Sequence, residues 1–487
     1  MAGRTPSRLS RPIALALGFI VLGGALVAAV AGSDPRATGP DATETPSGVG
    51  RASPTPEQPA PQSTSGAIPQ RDAPATAWVS VDGDDGAAGT AADPWRSPQR
   101  AVDSGAGRIE LLPGRHAGFI VARPGLVITG SGPAMTTVVG QVQVNADDVE
   151  IRDMAITGVD EPYEAGLLVD GATGVRVTGV HVHDNSFGIH LRDAPGAIIE
   201  ASEISGNGAG IEIHGRSGGT LISDNRIHHN DRPVDASRGA NGIVFFRSEG
   251  GVDVRGNELY SNINPSPAPG TDAGGGAFEV YATTDVVIAD NRISDSSILE
   301  TGTEDELPCT GLVFMRNVAW RGPSPGTQEG IVLRCAANGL IAHNTVDGFD
   351  RFAVDVIHDA GPFAGSVDGL RVVNNIFVHG RAYSIDNEMP AGVVIDHNLL
   401  WNPDSDAGHG EFLAYVAGHG NTRSADDLRA WGIDRNGIVA DPQFVDRGAR
   451  DYRLGPGSPG IDAGIALPEL AEDVADGRPD LGRWEAP

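Results

Sequence analysis

A six-residue phrase of alternating apolar and polar positions returns down most of this chain. It reads ISDNRI at 222–227, VRGNEL at 254–259, IADNRI at 288–293, IAHNTV at 341–346, VVNNIF at 372–377 and IDHNLL at 395–400. Its fixed point is an Asn. Aligning the chain on that point gives a ladder at Met154, Val180, Ser202, Asn225, Asn257, Asn291, Asn317, Asn344, Asn375 and Asn398, with steps of 22 to 34 residues. Each phrase is short, β-branched and followed by Gly, Asn or Asp, which predicts a strand ending in a turn. A second strand precedes most phrases, as in GIHL (188–191), GIEI (210–213), GIVF (242–245) and GIVL (330–333). No helix fits between them. Strands at this period without a crossover helix predict a solenoid in which each strand pairs with its equivalent one coil away. Ile and Val rows then stack inside at about 4.8 Å, and each Asn amide bonds to the coils above and below, as in cross-β amide ladders.

This repeat resembles the right-handed parallel β-helix (PbH1-type), the fold of the pectate lyase superfamily. The expected fold class is therefore all-β, a single-stranded right-handed parallel β-helix over 109–401. The stretch WVSVDGDDGAAGTAADPWRSPQRAVDSG at 78–105 resembles the opening of secreted β-helix proteins and marks an N-terminal cap at 77–108, with a short amphipathic helix at 97–103. Asp82, Asp84 and Asp85 in its loop are turn acids by default, with calcium chelation as the alternative. ADPQFVDRGARDYRLGPGSPGIDAG at 440–464 and DVADGRPDLGRWE at 473–485 resemble the tail of the same proteins, so residues 402–487 are expected to pack back along the outside. Asp441, Asp451, Ser458 and Asp462 read there as turn and capping residues.

Ahead of the repeat, Arg4, Arg8 and Arg11 precede an apolar run at 13–32 with a small-residue site at 29–31. Residues 1–32 thus read as an export signal or as a retained transmembrane anchor. Residues 33–76, rich in Pro, Ser, Thr and Ala, read as a disordered linker. Either reading places the body outside the cytoplasm. The chain carries 67 Gly, about double the usual share, as tight corners require. Its formal net charge is −29, and all 35 basic residues are Arg. With no basic stripe, a nucleic-acid partner is not expected. Cys309 and Cys335 lie eight and nine residues ahead of Asn317 and Asn344, nearly the same slot of adjacent coils. That slot puts their Cα atoms within the window for a disulfide, with two stacked thiols as the alternative.

Alternation along the second strand points one row of side chains outward: His190 and Arg192, Glu212 and His214, Val244 and Phe246, Glu279 and Tyr281, Val332 and Arg334, and Asp355. Enlarged loops at 231–241, 262–276, 300–310 and 359–366 flank that row, as working faces of repeat proteins do. The resemblance implies a polysaccharide partner and a lyase-like reaction on an acidic glycan. In such a reaction a base removes the proton beside a uronate carboxylate while a cation, often calcium, stabilises the developing charge. Lys serves as the base in several of those families and is absent here. The candidates are Arg334 or Arg247, and Tyr281 with His214; Glu300, Glu304, Asp305 and Glu306 form the candidate calcium site. A glycoside hydrolase is the alternative, drawing a carboxylate pair from Glu212, Glu279, Glu329 and Asp355. A non-catalytic glycan-binding surface protein is the third reading, in which these are polar residues of an exposed sheet. A monomer is expected.

Overall fold

The computed structural model describes residues 76–486, apart from 233, 235–239, 265–274, 306, 358–362, 379, 387–388, 403–412, 469 and 471–477. The apolar run at 13–32 and the linker up to residue 75 lie outside the described residues, and no described helix is long and apolar enough to cross a membrane.

The chain winds as a parallel solenoid with three rows of strands. Among the described residues the first row has thirteen strands, from Thr76–Val79 through Thr220–Ser223 to Val394–Asp396. The second runs from Ala155–Thr157 through Arg226–His228 to Ile438–Val439, and the third from Ala165–Asp170 through Ala209–Arg216 to Ala414–Val416. Within each row every strand pairs in parallel with its equivalent in the next coil, as Ile211↔Ile243 and Ile222↔Val254 illustrate. The inward positions of the third row, Ile189, Ile211, Ile243, Phe278, Leu299, Ile331 and Val354, are at most 1% exposed. Burial of one such side chain contributes about 1.5–3 kcal/mol, and the alternation that buries it points its neighbour outward.

The corners explain the Asn ladder. The residue just before each ladder position sits in the left-handed region, with φ of 56° at Asp224, 59° at Asp290, 51° at Arg316 and 55° at His343. That bend swings the Asn side chain inside the coil, where its amide replaces the backbone partners that the corner lacks. Asn225 Nδ2 donates to Asn257 Oδ1 at 3.0 Å, and the pattern continues through Asn291, Asn317, Asn344, Asn375 and Asn398. The last rung is an acid: Asp434 Oδ1 accepts both the backbone N–H and Nδ2 of Asn398, at 3.1 and 3.0 Å. A second ladder, not anticipated above, occupies the next corner: Asn185, Asn207, Asn230 and Asn262 bond in series, and Ser296 Oγ closes it.

Both ends are covered. The helix Pro98–Val102, capped by the Ser97 hydroxyl, buries Ala101 and Val102 against the first coil. In the loop before it, Asp85 accepts the N–H groups of Arg96 and Ser97, and Asp84 that of Gly86, the work of turn acids. After the last coils come a helix at Ala425–Trp431 and an antiparallel hairpin of Phe444–Asp446 with Asp451–Leu454. Leu454 and Leu481 pack on Ile376, Val378 and Leu399 of the second row, and Leu467 on Leu340, Ala342 and Val373 of the first. Buried Asp347 holds this segment, accepting from Arg447 at 2.7 and 2.9 Å and from the Tyr452 hydroxyl at 2.8 Å. Asp441 accepts the Gln443 N–H and the Ser458 hydroxyl the Gly460 N–H, both turn bonds, Ser458 also donates to the Pro442 carbonyl, and Asp451 pairs with Arg453.

Candidate functional site

Covering the first and second rows at this end leaves the third row's outward face for chemistry. Its register is His190↔Glu212↔Val244↔Glu279↔Glu300↔Val332↔Asp355↔Ser384. One coil in this series was not expected. Residues 297–302 form a strand, Ser297–Gly302, so Glu300 is a rung between Glu279 and Val332 rather than the head of an acidic loop. The alternation SILET carries it, without the Gly-Ile opening of the neighbouring strands.

The added rung brings Glu279, Tyr281, Glu300, Arg334 and Asp355 onto one patch. Arg334 forms an ion pair with Glu300. The Tyr281 hydroxyl bonds to Glu300, and desolvation followed by the Glu300 and Glu279 charges pushes its ionisation well above the usual tyrosine range. The Tyr281 ring is boxed in: Phe363 meets it edge-on at 5.6 Å between centroids, and a Cβ at Gly302 would lie 2.6 Å from it. Glu279, Glu300, Glu329, Arg334 and Arg351 line a recess of about 100 Å³ floored by Gly276 and Val332. Glu329 pairs with Arg351 at 2.7 Å.

Asp355 stands beside this recess as a distinct chemical group. Its Oδ1 is buried without a hydrogen-bond partner. Burial pushes its carboxyl up to about 6, helped by the charges of Asp386 and Glu329 and opposed by the Ser384 hydroxyl and Arg334. It stays protonated into mildly acidic solution, as a general acid must.

The remaining candidates fall outside the patch. Glu212 and His214 sit two rungs away, behind Val244 and Phe246; Val244 packs in an apolar cluster with Leu168 and Phe187. The expected calcium ligands are dispersed. Glu300 is committed to Arg334 on a strand, whereas Glu304 and Asp305 both pair with Arg247. Glu306 lies outside the described residues, and among these no group of three acids, His or Cys is placed to hold a metal ion. Arg247, its guanidinium 5.3 Å from the Phe246 ring centre, ties down the 303–305 loop through its pairs with Glu304 and Asp305. A Cys309–Cys335 disulfide, its Cα atoms 5.7 Å apart, joins adjacent coils next to Arg334, and Gly365 packs against it with no room for a Cβ.

Comparison with known proteins bears on the fold. The family model described as "Right handed beta helix region" matches residues 140–267. None of the curated proteins compared with the chain matches it in sequence. Among solved structures, pectate lyase Pel9A is similar at 14% identity, covering 84% of this chain and 96% of its own with a TM-score of 0.46. XylC in complex with xylose is similar at 10% identity, covering 76% and 87%, with a TM-score of 0.46. The catalytic unit of the GH87 α-1,3-glucanase of Streptomyces thermodiastaticus is similar at 13% identity, covering 69% and 63%, with a TM-score of 0.44. The matched region spans coils of all three rows, and the same pairing continues on either side of it. The chain carries a right-handed parallel β-helix.

Proposed function

We propose that this protein processes polysaccharide, and that it does so by hydrolysis at the third-row recess, with Asp355 as general acid and Glu300 as the ionised partner. The observation that carries the reading is Asp355: a buried carboxyl with an orphaned oxygen and a proton held to about pH 6, beside a row of carboxylates. Glu300 lies two rungs from Asp355, about 10 Å along the row at Cα, and side chains leaning toward each other reach the wider of the two carboxylate spacings used in glycoside hydrolysis. Asp355 then protonates the leaving glycosidic oxygen while Glu300 draws a proton from water attacking the opposite face of the sugar, which inverts the anomeric centre. Arg334 and Tyr281 orient Glu300 and hold it in place.

The lyase reading is less well supported, because Arg334, Arg247 and Tyr281 are poorly suited as bases and His214 lies two rungs from Tyr281. Arg334 is an always-charged guanidinium paired with Glu300. Tyr281 is held in its protonated form. No step is routed through calcium, since the acids expected to hold it are paired with arginines. An extracytoplasmic location, secreted or anchored by residues 1–32, belongs to the same reading. The apolar run and the Cys309–Cys335 disulfide support it, the latter because such bonds persist in oxidising compartments.

The test is product analysis with purified protein on a panel of glycans. Hydrolysis predicts new reducing ends of inverted anomeric configuration and an acidic-side optimum lost in Asp355→Asn. Products absorbing near 235 nm, the signature of a new conjugated double bond, would establish elimination and sink the assignment of Asp355 and Glu300.

A further inference from the structure

One inward column of the third row runs Leu191↔Ile213↔Phe245↔Val280↔Thr301↔Leu333↔Val356, each member at most 3% exposed. Thr301 is the polar member of that series. Alternation turns it inward because its neighbour Glu300 faces out, and a hydroxyl buried among aliphatic and aromatic side chains costs free energy unless it is hydrogen-bonded. Its bonds run toward the site. Thr301 Oγ1 accepts the backbone N–H of Arg334 at 3.2 Å and that of Cys335 at 3.3 Å. Regular pairing of the two strands ends at Thr301↔Leu333, because the strand Ile331–Leu333 stops one residue short of Arg334. The Thr301 carbonyl reaches the Arg334 N–H only at 3.4 Å, so the hydroxyl is what carries the pairing past the end of the strand. From the other side the Gly365 N–H donates to the Arg334 carbonyl at 2.9 Å. The Arg334 guanidinium then returns to Glu300, the residue next to Thr301. Two consecutive residues thus hold Arg334 at both ends, Glu300 by its charge and Thr301 by its backbone.

Resting on the hydrolase reading of the same site, we infer that Thr301 is a positioning residue, whose buried hydroxyl fixes the backbone of Arg334 and so holds the Arg334 guanidinium on Glu300. The role needs the oxygen and not the shape. Val has the same outline and matches the apolar column on either side, so Thr301→Val keeps the packing and takes an acceptor from two backbone N–H groups. Arg334 is then free to shift. A displacement of about 1 Å in a group that orients a reacting carboxylate is enough to lower turnover by about tenfold to a hundredfold. A hydroxyl that served only to finish a strand would act on the fold whether or not Arg334 carried its guanidinium.

The test uses the full chain with Thr301→Val, Thr301→Ser, Arg334→Ala, and Thr301→Val combined with Arg334→Ala. Amide exchange comes first, since it needs no substrate. Exchange at residues 334–335 is expected to quicken about tenfold in Thr301→Val, with 297–300 and 331–333 still protected, and to stay near that of the unmodified protein in Thr301→Ser. Unchanged exchange at 334–335, or loosening of the whole coil, overturns the inference. Turnover is then measured on whichever glycan of the panel the unmodified protein cleaves. Thr301→Val is expected to be slower by about tenfold or more, Thr301→Ser to keep most of the activity, and the combined variant to be no slower than Arg334→Ala alone, because the effect of Thr301 passes through Arg334. Losses that multiply in the combined variant, or a Thr301→Val protein as fast as the unmodified one, overturn the inference. Products absorbing near 235 nm would refute the hydrolase reading while the same comparison of variants still decides the role of Thr301. Cleavage of none of the glycans would refute that reading too, and the exchange result then decides alone.

Discussion

Replacing Asn317 with Ala tests whether the amide ladder holds the coils together or only decorates them. Asn317 Oδ1 accepts two bonds from Asn291, from Nδ2 and from the backbone N–H, both at 3.0 Å. Its own Nδ2 donates to Asn344 Oδ1 at 3.2 Å and to the Ile288 carbonyl at 2.9 Å. All of these groups are buried, and Asn317 is 1% exposed. Truncation to Ala removes four bonds at about 1 kcal/mol each and strands two donors of Asn291, whose desolvation is no longer offset. A total loss of about 3–5 kcal/mol is expected. The chain supplies its own milder control at Ser202, whose hydroxyl accepts the Val180 N–H at 3.3 Å and donates to the Glu200 carbonyl at 2.8 Å. Asn317→Ser keeps an acceptor for the Asn291 N–H and is expected to lose about half as much. The assay is urea unfolding of the full chain by far-ultraviolet circular dichroism, with amide exchange at residues 288–346 reporting local opening where coils unfold separately. Losses below about 1 kcal/mol for the Ala variant, or equal losses for Ala and Ser, would refute the reasoning and assign the ladder's stability to the aliphatic rows alone.

Three other outcomes follow from the same geometry. The Cys309–Cys335 bond closes a sequence separation of 26 residues, which on the chain-entropy model is worth about 3.5 kcal/mol; the double Ser variant should unfold at correspondingly lower urea, and added reductant should move only the unmodified protein. Asp355→Asn should lower turnover by about a hundredfold or more. Because the folded carboxyl titrates near 6 and the unfolded one near 4, the native state alone holds the proton across that window. Asp355 therefore costs stability above pH 6 and costs none below pH 4, so the Asn variant should be more stable at pH 7 by about 1–2 kcal/mol after solvent screening and equal at pH 3.5. Asp347→Ala removes the acceptor of Arg447 and Tyr452 and should cost about 2–4 kcal/mol in docking of the C-terminal hairpin, seen as faster tryptic cleavage after Arg447 and Arg450 with the coils intact.

The fold was legible in the sequence because its repeating bonds need one residue type at one place. The Asn that carries a corner both donates and accepts along the coil axis, so it recurs even where the strands around it vary. The second ladder was equally legible and follows from an offset of five: Val180 to Asn185, Ser202 to Asn207, Asn225 to Asn230 and Asn257 to Asn262. The disulfide followed from register alone. The site was legible only in outline. Alternation gave the outward faces of Glu279, Tyr281 and Asp355, but the strand 297–302 carries a weaker pattern and reads as the start of a loop, which hides the rung that Glu300 occupies. The partner of Arg334 lies 34 residues upstream and that of Arg447 a full 100 residues away. Such pairings depend on how many coils intervene, a count that no local pattern contains.

That count also bears on mechanism. In a solenoid, outward side chains of one row sit at multiples of the strand spacing, about 5 Å for adjacent coils and 10 Å for alternate ones. Glycoside hydrolysis with retention uses carboxyls about 5–5.5 Å apart, and inversion about 6.5–9.5 Å. Glu279 and Glu300 occupy adjacent rungs, and Glu300 and Asp355 alternate rungs with Val332 between them. The row therefore holds both spacings, and the choice between them rests on protonation rather than distance. Burial and the neighbouring acids lift Asp355 to about 6, so under the proposed hydrolysis the wider pair is the one that contains an acid. Val332, the apolar rung between that acid and Glu300, brings no proton acceptor of its own into the gap.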